Sequence, residues 1–217
     1  MRYRRFNDRL AQCSSAVLMD VLDTLGVRRQ CLEPRIRPLL PTMRTWGEAV
    51  TLYVEAVTAV PARPFQLEME LIDDLQEGQV IVAQCQAPEL SAFWGGLLSN
   101  AAVGRQGAGV ITDGGVRDYA EIVALGFPTF AAGLTPYDSL GRMDGKWRNL
   151  PVTCAGVRVC PGDLVFADVD GVVVVPQDRV EDVLAKAWEK VKGESTVRAE
   201  LRAGASVVET FRKYGIL

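Results

Sequence analysis

The sequence predicts an α/β fold, and three observations predict it. Across residues 94–131, segments of strand length alternate with helical stretches: a helix from about Leu97, a strand at Gly109–Thr112, a helix over Tyr119–Leu125 and a strand at 128–131. That alternation is βαβ in character and calls for parallel strands covered by helices. Apolar residues at helical spacing mark a helix face near each end of the chain, at Val17, Leu18, Val21, Leu22 and Leu25 and again at Val180, Val183, Leu184, Ala187 and Val191. From Pro151 the pattern changes to short β segments separated by turns, PVTCAGVRVCPGDLVFADVDGVVVVP.

Taken in order, Ser14-Ser15 is suited to cap the first helix, and Gly26 stands where a C-terminal glycine belongs. The proline-bearing stretch at 31–44 reads as extended or irregular chain. Residues 47–59 are β-rich, with Val50, Leu52 and Val54 alternating with polar or smaller residues. A short helix fits 66–75, and Val80-Ile81-Val82-Ala83 after Gly78 fits a buried strand. Residues 135–149 read as a loop. Pro161-Gly162-Asp163 and Asp170-Gly171 read as turns, and Val172–Val175 as a core strand. Asp178-x-x-Glu181 has the form of a capping box, and a second helical segment carrying Val197 and Leu201 follows Gly193 and ends at Gly204. With no internal repeat, low-complexity tract or linker, residues 1–217 are expected to form a single domain.

Composition removes several kinds of chemistry. The chain has no histidine, which excludes Ser-His-Asp and Cys-His catalysis, HExxH zinc sites and imidazole proton shuttling. Any metal must be held by oxygen, which favours Mg²⁺ or Mn²⁺. A net charge of −3 argues against a nucleic-acid partner. No apolar run approaches the ~20 residues of a membrane span, and no signal peptide is expected. Five cysteines without a C-x-x-C pair fit buried or inert thiols in a reducing cytoplasm.

The chemistry gathers between Trp94 and Gly133. Gly95-Gly96 before Leu97-Leu98 puts unhindered amides at a helix N-terminus, able to receive a carboxylate or phosphate; a tight packed turn is the competing reading. Asp113-Gly114-Gly115-Val116-Arg117-Asp118 follows a strand through what reads as a flexible turn, and ligands of parallel α/β structures gather at such strand ends. Arg117 can fork onto a carboxylate or enolate oxygen and Asp118 can bind a hard cation, unless the two are merely a surface ion pair.

The run WGGLLSNAA…GAGVITDGGVRD…GFPTFAAG, followed by PGDLVFAD.DGVVVVP, resembles the regulator-of-ribonuclease-activity-A-like (RraA-like) family. That family includes the divalent-metal-dependent 4-hydroxy-4-methyl-2-oxoglutarate / 4-carboxy-4-hydroxy-2-oxoadipate aldolases. The resemblance implies a swivelling β/β/α domain with a central mixed sheet flanked by helices, assembled as a homotrimer or hexamer. It implies a metal-dependent lyase that cleaves a 4-hydroxy-2-oxo acid to pyruvate, or decarboxylates oxaloacetate, through a stabilised enolate. By position, the backbone of Gly95, Gly96, Leu97 and Leu98 would hold the pyruvoyl carboxylate. Arg117 would steady the enolate, and Asp118, with Glu194 from a neighbouring subunit, would help hold Mg²⁺ or Mn²⁺. Glu189 and Glu200 compete with Glu194 for that correspondence. One departure stands out: the aldolases carry an Asp 21 residues before the Arg, where this chain has Gly96. The alternative is a non-catalytic binding protein of the ribonuclease E inhibitor type. A methyltransferase is disfavoured, because no S-adenosylmethionine loop is present.

Overall fold

The computed structural model describes residues 2–86 and 91–216. A 3-10 turn (Arg4–Phe6) leads into α1 (Asn7–Leu10), α2 (Ser15–Thr24), β1 (Arg37–Pro38), β2 (Thr45–Ala56), α3 (Gln66–Asp73) and β3 (Gln79–Cys85). Next come β4 (Ala92–Trp94), α4 (Gly96–Gly104), β5 (Gly109–Thr112), β6 (Gly115–Val116), α5 (Tyr119–Leu125), β7 (Thr129–Ala131) and β8 (Gly133–Leu134). The chain continues through β9 (Met143–Arg148), β10 (Val152–Cys154), β11 (Val157–Val159), β12 (Leu164–Ala167), β13 (Val172–Val175), α6 (Val180–Arg202) and α7 (Val207–Tyr214).

The main sheet is mixed, in the order β1-β7-β5-β3-β2-β12-β13, with β9 also on β2. Pairs β2–β3, β3–β5 and β5–β7 are parallel, as the βαβ alternation predicts, and the flanking pairs are antiparallel. At 12 residues β2 is long enough to serve two partners on one edge. Its residues 45–48 pair with β12 and its residues 52–56 with β9, with a register shift at Tyr53/Val54.

Both faces of this sheet are covered. Val50, Leu52 and Val54 point into a core shared with Leu71 and Ile72 of α3, Ala102 of α4 and Ile122 of α5. Ala49, Val80, Val82, Ile111 and Phe130 fill the opposite face beneath the β10–β11 hairpin. A third cluster packs α2 and α6 against β12 and β13 through Leu18, Leu22, Phe166, Val183 and Leu184. Aspartates of the C-terminal motif tie these layers together. Asp168 accepts the Ser15 amide and hydroxyl at 2.9 and 2.6 Å, and Asp163 accepts the amides of Cys160 and Gln177 at 2.8 and 3.0 Å.

A second, three-stranded parallel sheet, β4-β6-β8, positions the candidate site. In chain order β3, β5 and β7 are each followed by one of its strands, β4, β6 and β8. The Gly114-Gly115 step between β5 and β6 is therefore a packed switch between sheets and not the flexible turn the sequence implied. A Cβ at Gly114 would stand 2.6 Å from Cys85 Sγ, and one at Gly115 would stand 2.7 Å from Thr135 Cγ2. Only glycine lets the sheets approach so closely.

The first helix ends as expected. The Ser14 hydroxyl accepts the Val17 amide at 3.3 Å, and Gly26, at φ +77°, closes a Schellman motif in which Val27 N–H donates to Leu22 O at 2.9 Å. Elsewhere three expectations fail. The predicted loop at 135–149 contains β9, whose Trp147 stacks on Tyr53 with ring centroids 3.9 Å apart. Asp178 does not cap α6; Arg179 occupies the cap position and no side chain bonds there. Gly193 does not interrupt α6, which runs unbroken from Val180 to Arg202. A Cβ at Gly193 would meet only the far end of the Ile216 side chain, Cδ1 at 2.8 Å.

Candidate functional site

The carboxyl ends of β4, β6 and β8 bring together three segments that are remote in sequence. After β4 the chain turns through Gly95 into α4. After β6 it passes Arg117 and Asp118 into α5. After β8 it reaches Asp138, which bridges to Ala92. Their junction is a cavity of about 350 Å³ whose wall includes Trp94, Gly95, Leu97, Leu98, Arg117, Asp118 and Asp138.

Trp94 anchors the first segment. It is 1% exposed, and its indole N–H donates to Ser99 Oγ at 2.7 Å, while that hydroxyl donates to Gly95 O at 2.9 Å. Truncating such a buried aromatic costs about 3–5 kcal/mol. Arg117 N–H donates to Trp94 O at 3.0 Å and so fixes the second segment against the first.

Asp118 is held at φ +60°, in the left-handed region, where a non-glycine residue costs about 1–3 kcal/mol. It precedes α5 but does not cap it. Its carboxylate instead accepts the Gly96 amide at 3.0 Å and so sits at the N-terminus of α4. The neighbouring Gly95 leaves room for this approach; a Cβ there would stand 2.7 Å from Asp118 Oδ2 and 3.2 Å from Arg117 Cγ. The Gly96 amide, expected to receive a ligand, is thus already engaged. The Leu97 and Leu98 amides precede the first intrahelical bond of α4, which joins Ser99 N–H to Gly95 O.

The Arg117 guanidinium lies between two carboxylates, 3.7 Å from Asp118 Oδ2 and 3.5 Å from Asp138 Oδ1, with all three side chains partly exposed. Neither contact reaches the ~2.7–2.9 Å of a charge-assisted hydrogen bond, so the guanidinium retains donors for a ligand. The space an Asp at position 96 would take is filled by Glu121 of α5. A Cβ built at Gly96 would overlap that carboxylate, with Oε1 2.9 Å away and its other atoms nearer. Glu121 is fixed by Asn100, whose amide donates to it at 2.8 Å.

Asp113, the first acid of the central motif, is structural. It is 6% exposed and accepts the amides of Cys85 and Ala155 at 2.6 and 3.0 Å. Burial raises its pKa against the opposing pull of those two donors.

The structure therefore unites Gly95, Gly96, Leu97, Leu98, Arg117 and Asp118. Glu194 lies in a different depression with Val197 and Leu201, ion-paired to Lys190 and Arg198 at 3.3 and 3.4 Å. Glu189 pairs with Lys192, and Glu200 receives bonds from Lys213 and Tyr214 of α7. Sequence reasoning missed Asp138, Glu121 and the apolar wall formed by Phe65, Met69 and Phe93. No motif marked any of them.

Oxygen ligands alone are available here. Among the described residues no group of three or more carboxylates or thiols converges. A cation at Asp118 would be held by one or two carboxylates, water and ligand oxygens, which is how Mg²⁺ is commonly bound. The donor set fits it.

An α/β domain with an Arg–Asp pair at a helix N-terminus, on the carboxyl ends of a small parallel sheet, has the layout of a binding site for small anionic molecules. Residues 15–174 match the RraA-like family, described as Aldolase/RraA, and the chain belongs to that family. Protein DlpA of Legionella pneumophila is 29% identical over 206 residues, covering 94% of this chain, which spans only 33% of DlpA. A Halalkalibacterium halodurans protein named "Putative 4-hydroxy-4-methyl-2-oxoglutarate aldolase" is 31% identical over 183 residues, 84% of this chain and 82% of that protein. The crystal structure of Streptomyces coelicolor RraAS2, an unusual member of the RNase ES inhibitor RraA protein family, matches with a TM-score of 0.81 at 29% identity. That match covers 91% of this chain and 98% of RraAS2. Among the described residues no helix is long and apolar enough to cross a membrane.

Proposed function

We propose that this chain is a divalent-metal-dependent lyase that forms the enolate of pyruvate, by cleaving a 4-hydroxy-2-oxo acid or decarboxylating oxaloacetate. The observation that carries the reading is the Arg117–Asp118 pair, set at the N-terminus of α4 in one cavity. In this reading the Leu97 and Leu98 amides and the helix dipole receive the 2-oxo acid's carboxylate. Arg117 donates to the keto or carboxylate oxygen and stabilises the negative charge that develops as the C3–C4 bond breaks. Asp118 would hold Mg²⁺ or Mn²⁺, which would supply Lewis-acid stabilisation of the developing negative charge. Glu121 takes the place of the absent carboxylate at 96 and orients the water that exchanges protons with the C4 hydroxyl and the enolate carbon. The reading extends to a cytoplasmic homotrimer or hexamer in which the partner subunit's Glu194 adds an oxygen ligand.

The competing reading is a non-catalytic binding protein. It draws on Gly96 and on the likeness to RraAS2. Pyruvate release from 4-hydroxy-4-methyl-2-oxoglutarate or oxaloacetate, dependent on Mg²⁺ or Mn²⁺ and lost in Arg117→Ala, supports the lyase. No turnover by wild type on either substrate, or full turnover by Arg117→Ala, contradicts it.

A further inference from the structure

Ser139 lines the cavity beside Asp138 and is only 6% exposed. Among the described residues its hydroxyl has no hydrogen-bond partner. A buried hydroxyl ordinarily engages both its donor and its acceptor, as Ser99 does with Gly95 and Trp94. Left open, such a group is a cost to folding that the oxygen of a bound molecule would remove.

The backbone that carries this hydroxyl is firmly held. Ser139 O accepts the amides of Arg142 and Met143, each at 2.8 Å, and the Arg142 guanidinium donates to Asp138 O at 3.0 Å. Ala92 N–H donates to the neighbouring Tyr137 O at 2.9 Å and ties the segment to β4. Met143, where the segment enters β9, is part of the core. The hydroxyl is thus set in place before any ligand arrives.

Its position relative to Arg117 indicates which ligand atom it meets. Asp118 stands at Nε of that guanidinium and Asp138 at Nη1, so Ser139 follows the carboxylate at the Nη1 edge. With a 2-oxo acid's carboxylate at the Leu97 and Leu98 amides and its keto oxygen at Arg117, this wall faces the carbons beyond C2. The two substrate classes proposed above share an oxygen on C4: the hydroxyl of a 4-hydroxy-2-oxo acid, and the second carboxylate of oxaloacetate. A serine hydroxyl can donate to either.

We propose that Ser139 is a specificity-determining residue, whose hydroxyl hydrogen-bonds the oxygen on C4 of the substrate and so selects 2-oxo acids oxygenated at that carbon. The proposal rests on the pyruvoyl-binding reading above for the placement of the ligand, but its test is binding and requires no turnover. Calorimetric titrations with Mg²⁺ present would compare 2,4-dihydroxybutanoate with 2-hydroxybutanoate. The two differ only in the C4 hydroxyl, and neither undergoes retro-aldol cleavage, because C2 carries no carbonyl. Wild type is expected to bind the dihydroxy acid roughly five-fold more tightly, the net effect of one neutral hydrogen bond. Ser139→Ala is expected to bind the two acids equally, and 2-hydroxybutanoate as well as wild type does. Because the open hydroxyl contributes nothing to the fold, the variant's urea midpoint should be unchanged or higher. Wild type that binds both acids equally, or neither, overturns the proposal. An unchanged preference in Ser139→Ala does so too, as does a variant that is less stable and binds both acids more weakly alike. A Ser139-dependent preference without pyruvate release from any 4-hydroxy-2-oxo acid or oxaloacetate would instead sink the lyase reading and leave the Ser139 contact standing.

Discussion

The carboxylate of Glu121 occupies the volume that a side chain at Gly96 would need, although the two residues lie on different helices. The pair is held by Asn100, whose amide donates both to Gly96 O at 2.9 Å and to Glu121 Oε1 at 2.8 Å. A carboxylate therefore persists at the mouth of α4 even though position 96 carries none.

If Glu121 does the work of that carboxylate, Glu121→Gln lowers kcat on the order of 100-fold while KM changes little. Gly96→Asp alone displaces the Glu121 carboxylate from its place at Asn100 and is also impaired. The double variant Gly96→Asp/Glu121→Ala vacates that space and regains activity. Steady-state kinetics on the three proteins checks this, and a Glu121→Gln enzyme with wild-type kcat would refute the assignment.

Asp113 belongs to the same motif as Asp118 but to the core. Asp113→Ala strands the buried amides of Cys85 and Ala155 and costs about 3 kcal/mol of stability. Asp118→Ala, at a part-exposed position, abolishes metal-dependent binding with little loss of stability. Urea denaturation of both variants, set beside oxalate titrations, separates the two roles.

Glu68 of α3 gives the protein a pH-dependent stability. It is 3% exposed, one of its oxygens has no hydrogen-bond partner, and burial raises its pKa from 4.5 to about 7. The folded protein thus keeps this proton when the unfolded chain has lost it. The favourable contribution is full below pH ~4.5 and falls away as pH rises toward 7, by about 3 kcal/mol in total. Glu68→Gln removes that slope. Urea midpoints of wild type and variant between pH 4.5 and 8 should diverge in the variant's favour as pH rises; parallel curves would contradict the assignment.

Local patterns carried the parallel core of the fold. The βαβ alternation, the Ser14 cap and the Gly26 terminus are each set by neighbouring residues and were legible for that reason. Strand β9 was not, because its pairing with residues 52–56 of β2 depends on a partner about ninety positions away. The same distinction holds at the site. Gly95, Arg117 and Asp118 sit in a dense motif. Glu121 and Asp138 join them only because β4, β6 and β8 align. Gly193 misled in the opposite sense: a lone glycine reads locally as a break, yet α6 runs through it from Val180 to Arg202.

The central claim is that Arg117 and Asp118 stabilise a pyruvate enolate, and it can be tested without knowing the full substrate. Proton NMR in D₂O would follow exchange of the pyruvate methyl protons. Wild-type protein with Mg²⁺ or Mn²⁺ is expected to catalyse the exchange, and Arg117→Ala and Asp118→Ala are expected to fall to the uncatalysed rate. No exchange by wild type with either metal, or undiminished exchange by Arg117→Ala, would contradict the account.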